Sequence, residues 1–249
     1  MPDNGEPILH VDHLAAGYGD IKAITDISMR AWSGKVTAVL GANGAGKTTL
    51  VSTIAGLIRV QSGTITMRGE DIGRLRPSVR MTRGIALVQE GKRIFHRRTV
   101  HENLLLGGYR MSRSARSSAV EAAYESFPIL REKRNSLAGS LSGGQQQMLA
   151  IAQALMPAPQ VLMLDEPSAG LAPIIVDELL NTIRKLKSDG MAIILVEQLV
   201  DKALAVSDHV VAIQRGRVVT DQPAASVTAA VLHDAYLGVG NSPARATGE

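Results

Sequence analysis

The chain of 249 residues has no cysteine, which excludes disulfides and thiolate metal sites and suits a reducing compartment. Aromatic residues are few: two phenylalanines, four tyrosines and one tryptophan. A base-stacking surface for nucleic acid is therefore not expected. No apolar run approaches the roughly 20 residues that span a bilayer, and Met191–Val196 is only of strand length. The opening Met1-Pro-Asp-Asn-Gly-Glu6 has neither a basic region nor an apolar one, so a signal peptide is not expected. These absences point to a cytoplasmic chain that acts on a membrane, if at all, through a partner.

What is present suits one large α/β domain over residues 8–240, between flexible termini at 1–7 and 241–249. The formal net charge of +4 is mild. Basic residues gather from Lys92 to Arg134, among them Arg93, Arg97, Arg98, Arg110, Arg113 and Arg116. A solvated helical face explains them better than a lipid-facing surface. Ile8–Leu14 alternates as a half-buried strand does, and Ile27–Ala31 suggests a second. Val36–Leu40 is a short apolar run opening into a glycine-rich loop, followed by a helix over Lys47–Leu57 and a strand over Gly63–Gly69. From about residue 92 to 158 helical signals dominate, including Thr99-Val-His-Glu102, which has the form of a capping box. Beyond this expected helical insert come a strand at 161–164, a helix at 174–187, a strand at 192–197, a helix at 200–205 and a hairpin about Gln214-Arg215-Gly216.

The glycine-rich loop Gly41-Ala42-Asn43-Gly44-Ala45-Gly46-Lys47-Thr48, with Thr49 behind it, has the form of a phosphate-binding loop. A polyphosphate carries several charges and needs many donors at close range. Glycines let backbone amides aim inward with no Cβ in the way, and the following helix adds its positive end. Lys47 supplies a mobile cation for the β and γ oxygens and Thr48 a hydroxyl for Mg²⁺. Glycine-rich loops often mark only a turn, but an apolar strand before and Lys-Thr behind favour phosphate. Downstream, Val161–Leu164 ends in Asp165 and Glu166. Alone, these acids would suit a helix N-terminus; behind a phosphate loop, metal binding and catalysis are the better reading. Between them Leu141-Ser142-Gly143-Gly144-Gln145 opens a helix, and its free amides and hydroxyl form a second anion site.

Phosphate loop, then Leu-Ser-Gly-Gly-Gln, then an apolar strand with paired acids: this order resembles the ATP-binding cassette family, and the likeness runs from Leu9 to about Leu237. It implies a P-loop NTPase fold with a RecA-like core, an antiparallel β subdomain and a helical insert. It also implies hydrolysis of ATP with Mg²⁺ between two facing cassettes. Glu166 matches the catalytic base, Lys47 the phosphate cation, Gln198 the switch position and Tyr18 the adenine-stacking residue. Mg²⁺ is implied to lie near Thr48, Asp165 and Gln89, while Ser142, Gly143, Gly144 and Gln145 reach the γ-phosphate held by the opposite subunit.

Three departures narrow the likeness. Ser168-Ala169-Gly170-Leu171-Ala172-Pro173 lacks the aspartate that usually follows in cassettes, and Gln198 stands where the family has histidine. Glutamine can donate a hydrogen bond but cannot carry a proton near neutral pH. At the glutamine loop, Gln89 fits by residue type, whereas counting from Arg83-Gly84 and back from Thr99-Val100 favours Glu90. Together with Glu90-Gly-Lys-Arg-Ile-Phe95 and Leu195-Val-Glu-Gln198, these features resemble the LivF-type subunit of bacterial branched-chain amino acid importers. The resemblance implies a second cassette, like or unlike, and transmembrane permease subunits that hold the chain at the cytoplasmic face of the membrane. A periplasmic or extracellular solute-binding protein would act indirectly, and no nucleic acid is implied. Urea and short-amide importers have a similar subunit. A soluble cassette of translation or DNA maintenance would bring a second cassette or a long coiled coil, and neither is present. A GTPase would need Asn-Lys-x-Asp, which is absent.

Overall fold

The computed structural model describes residues 5–228, so the expected tail at 241–249 and the last stretch of the expected domain lie outside the described residues. Strands β1 (Leu9–Tyr18) and β2 (Ile21–Ala31) form an antiparallel hairpin. The hairpin is longer than its alternation suggests because β1 bulges between Val11, Leu14 and Ala16, with His13 at φ 46. Each bulge shifts the inward-facing set by one residue and hides the period of two. Next come β3 (Val36–Leu40), α1 (Lys47–Ile54), β4 (Val60–Met67), β5 (Glu70–Asp71), α2 (Pro77–Thr82) and β6 (Ile85–Val88). A helical layer follows: α3 (Val100–Gly107), α4 (Arg113–Ser126), α5 (Pro128–Glu132) and α6 (Gly143–Leu155). The chain then alternates through β7 (Val161–Asp165), α7 (Pro173–Ser188), β8 (Ala192–Val196), α8 (Val200–Leu204), β9 (His209–Gln214) and β10 (Arg217–Pro223).

The strands lie in the order β5-β4-β1-β2-β10-β9-β3-β8-β7-β6. The β4–β1–β2 side is antiparallel, and β9, β3, β8, β7 and β6 run parallel to one another. A single parallel pair, Arg217 with Asp26, joins the two parts. The parallel strands read as unbroken apolar runs because both their faces are covered. Val36, Ala38, Leu40, Leu162, Leu164, Ile193 and Leu195 face the helical layer and α7. Their neighbours Val39, Val161, Met163, Ile194 and Val196 face α1 and the β1–β2 hairpin. With both faces filled, the charged groups stand beyond or at the strand ends, where the phosphate loop, Asp165 and Glu197 are found, while Thr37 inside β3 donates to the Arg30 carbonyl at 3.3 Å.

Helix α1 stops at Ile54, three residues before the expected Leu57, because Gly56 turns the chain at φ 83. A helix end leaves carbonyls without partners. Here Arg80 of α2, only 2% exposed, donates to the carbonyls of Thr53 (2.7 Å), Ile54 (2.8 Å), Leu75 (3.0 Å) and Gly73 (2.7 Å). A Cβ on Gly56 would lie 2.9 Å from the guanidinium Nε, so the turn residue must be small as well as left-handed. The cation also complements the negative helix end. Arg80→Ala is expected to lower unfolding stability by about 2–3 kcal/mol, with Arg80→Lys recovering only part, since an ammonium lacks the planar fork. Urea unfolding midpoints check this, and an unchanged midpoint in the alanine variant would show that the carbonyls are satisfied without Arg80.

Candidate active site

The phosphate loop rests on the turn between β9 and β10. The Gly216 N–H donates to the Ala45 carbonyl at 2.9 Å, and a Cβ on Gly41 would fall 2.2 Å from the Ile213 carbonyl oxygen. Gly46 caps α1 at φ 108, where a Cβ would meet Ile24 Cγ2 at 2.6 Å. Both positions thus demand glycine for space and for dihedral angle. Lys47 is 4% exposed, and its ammonium donates to the carbonyls of Gly41 (2.9 Å) and Ala42 (3.2 Å). Its counter-charge is Glu166, whose Oε1 lies 3.7 Å away.

The two acids at the end of β7 stand in different surroundings. Asp165, 2% exposed, accepts a hydrogen bond from the Thr48 hydroxyl at 3.2 Å. Burial pushes its carboxyl up to about 6; the Thr48 bond works against this, and the charges of Glu166 and Glu90 add to it. Glu166 sits at φ 48, its N–H bonded to the Val196 carbonyl at 2.9 Å. A non-glycine residue in the left-handed region is costly and is held there by its surroundings. Its carboxylate accepts from Gln198 Nε2 at 2.6 Å. Lys47, Thr48, Glu166 and Gln198 border a cavity of about 400 Å³, lined also by Asn43, Gly44, Gly46, Thr49 and Ala23 of β2, and Asp165 stands behind it against the Thr48 hydroxyl. Among the described residues no cluster of three or more His, Cys, Asp or Glu is poised as a self-sufficient metal cage. The Thr48 hydroxyl beside the Asp165 carboxylate is instead a hard oxygen pair, of the kind Mg²⁺ takes together with substrate phosphates.

Not every expected residue joins this cavity. Of the two residues expected at the glutamine loop, Glu90 lines this cavity and Gln89 lines a separate apolar groove. Both follow the end of β6 at Val88, where the chain enters a turn at Glu90. Tyr18 ends β1 at 61% exposure and lies outside the cavity lining. Ser142–Gln145 also lie outside it. They form a capping box at the start of α6: Ser142 Oγ accepts from the Gln145 N–H (3.3 Å) and Gln145 Oε1 from the Ser142 N–H (3.1 Å). The Ser142 hydroxyl thereby keeps its own proton for an outside acceptor.

Two further residues escaped sequence reasoning. Glu197, 4% exposed, follows β8 and accepts from Ser168 N (3.1 Å), Ser168 Oγ (2.8 Å) and Gln198 N (3.2 Å). Asn103 is fully buried and clamps Phe95 from both sides, accepting from its N–H (2.8 Å) and donating to its carbonyl (3.1 Å). Phe95, itself half exposed, borders the apolar groove of about 590 Å³ with Leu57, Met81, Leu106, Tyr109 and Gln89.

The family model described as ABC transporter matches residues 24–169, more than half of the chain. The chain belongs to the ABC transporter family. It is 42% identical over 232 residues to the high-affinity branched-chain amino acid transport ATP-binding protein BraG of Pseudomonas aeruginosa, covering 93% of this chain and 100% of that protein. It is 39% identical over 212 residues to the probable branched-chain amino acid transport ATP-binding protein LivF of Archaeoglobus fulgidus, covering 85% and 90%. Among solved structures, a nucleotide-free ATP-binding cassette from an ABC transporter superposes with a TM-score of 0.79 at 27% identity, covering 88% of this chain and 92% of that one. The ADP conformation of another such cassette superposes at 0.77 and 28% identity, with coverage of 88% and 92%. The fold is therefore the P-loop NTPase fold of ABC cassettes, and no helix among the described residues is long and apolar enough to cross a membrane.

The raised carboxyl of Asp165 gives the cassette a signed pH dependence. The folded protein keeps a proton that the unfolded chain releases near the ordinary value of about 4. Stability of the nucleotide-free protein is therefore expected to fall as pH rises from about 4 towards about 6. Denaturant midpoints across this window check the slope, which Asp165→Asn is expected to flatten.

Proposed function

We propose that the chain is the ATP-hydrolysing subunit of a branched-chain amino acid importer, working as one of two facing cassettes beneath permease subunits at the cytoplasmic face of the membrane. The observation that carries this reading is the Glu166 carboxylate, held between Lys47 and Gln198 at the edge of the phosphate-loop cavity. The cargo rests on the likeness to BraG and LivF over most of the chain. Residues 8–240 act as one cassette, with about 92–158 as its helical insert.

Loop amides and Lys47 orient the β and γ phosphates, and the ammonium exchanges its carbonyl partners for phosphate oxygens. Thr48 and Asp165, with Glu90 nearby, would hold Mg²⁺, which would supply positive charge for those oxygens. Glu166 accepts a proton from the attacking water, whose oxygen bonds to the γ-phosphorus as the bond to the β-γ bridging oxygen breaks. A carboxylate only accepts hydrogen bonds, so Gln198 turns its NH₂ to Glu166. Its remaining N–H is free for the γ-phosphate, and no titrating group enters at the switch position. Tyr18 stacks on adenine, a contact of about 1–3 kcal/mol that reads no base identity.

Ser142, Gly143 and Gly144, which do not line their own cavity, complete the site of the opposite cassette, so two ATP molecules join the pair. The apolar groove fits a permease segment, since a large exposed apolar patch marks a partner surface. Gln89 lies in that groove and Glu90 in the nucleotide cavity. One peptide bond therefore links the transporter side to the phosphate side, and closure can pass between them.

Glu166→Gln is expected to bind ATP normally but to lose about a hundredfold or more in turnover. Fluorescent-nucleotide titration and phosphate release separate the two, and full turnover in the variant would remove Glu166 from the role of base. Lys47→Ala is expected to abolish nucleotide binding, and unchanged affinity would displace the phosphate site. Gln198→Ala is expected to lose far more activity than Gln198→His; an alanine variant of full activity refutes the positioning role. Uptake of leucine rather than urea by vesicles carrying the complete importer tests the cargo.

A further inference from the structure

We infer that Glu197 is a positioning residue for hydrolysis: its buried carboxylate ties the end of β8 to the turn behind Glu166 and so holds Glu166 and Gln198 together. This rests on the ATPase reading of the site given above. A carboxylate removed from water needs compensation. Glu197 has no ion pair among the described residues, and burial pushes its carboxyl upward against the hydrogen bonds it receives. Donors alone hold it: the N–H and the hydroxyl of Ser168, the Gln198 N–H, and the Leu199 backbone. An apolar side chain would fill this space at less cost, so the acid serves geometry.

The geometry is specific. Glu166 N bonds to the carbonyl of Val196, and two residues later Ser168 bonds twice to Glu197. Three hydrogen bonds therefore join the exits of β7 and β8, and Gln198 reaches Glu166 at 2.6 Å directly beside them. Glu166 occupies a left-handed backbone angle that it would leave if its neighbours were free. Ser168 also begins the loop that leads into α7, so a shift there is passed to both Glu166 and Gln198.

Glu197→Gln probes this at constant shape. The Ser168 hydroxyl can turn to accept from the new amide, but the Gln198 N–H then faces an NH₂ group and loses its acceptor. ATP affinity, measured by fluorescent-nucleotide titration, is expected to stay within about twofold, while the single-turnover hydrolysis rate falls about tenfold. In a Gln198→Ala background the same change is expected to cost less than in the wild type, because one of the two side chains being positioned is gone. Ser168→Ala, which removes one of the donors, is expected to show the same split at smaller amplitude, and it carries the test alone if Glu197→Gln does not fold. A full rate in both variants, losses shared equally by affinity and rate, or effects that add in the double variant would overturn the assignment. A wild-type protein without ATPase activity would instead overturn the underlying function, so the two failures are distinct.

Discussion

A buried ammonium organises this protein. Lys47 is almost wholly removed from water, and such a charge is tolerable only with oxygen partners arranged around it. Two loop carbonyls and one carboxylate meet that demand, and each fixes another part of the site. The carbonyls define the path of the phosphate loop. The carboxylate belongs to Glu166, so the same contact that neutralises the lysine places the acid at the cavity edge. From Glu166 the constraint runs on to Gln198, and through Ser168 to Glu197. The polar centre is a continuous set of paired groups in which no charge is independent of its neighbour.

The sheet explains why these groups meet at all. Strands β3, β7 and β8 run parallel and in register, Val39 and Asp165 both pairing with Val196. Their exits consequently share one edge, and the loop, the acids and the switch residues all leave from it. Covered on both faces, the strands carry the charged groups of the site at this edge. Ligands of open parallel sheets gather at the carboxyl ends for the same reason.

The parts most legible in the sequence were those whose chemistry and spacing are local. Lys47 and Thr48 behind an apolar strand, Asp165 at the end of another, and the Thr99–Glu102 capping box needed no knowledge of distant residues, and the structure contains the strand, loop and cap at those positions. Less legible were elements too short to carry a period, such as the six-residue α2 and the four-residue β6, and the bulged half of the β1–β2 hairpin. Partnerships across the chain left no local trace. Nothing in the sequence around Arg80 marks it as the partner of carbonyls at the end of α1, and nothing beside Glu197 marks Ser168 as its partner. That Gln89 and Glu90 border different cavities likewise follows only once β6 has paired with β7.

The turn beneath the phosphate loop has a consequence for how the chain matures. Gly41 leans on the carbonyl of Ile213 and Ala45 on the N–H of Gly216, so an early loop takes its shape from two late strands. Such long-range closure is slow and comes late in folding. During synthesis the motif leaves the ribosome long before its support does. A chain cut short ahead of β9 retains every residue of the phosphate motif without the floor that shapes it, so incomplete products are poorly equipped to capture ATP or to compete for a place in a transporter.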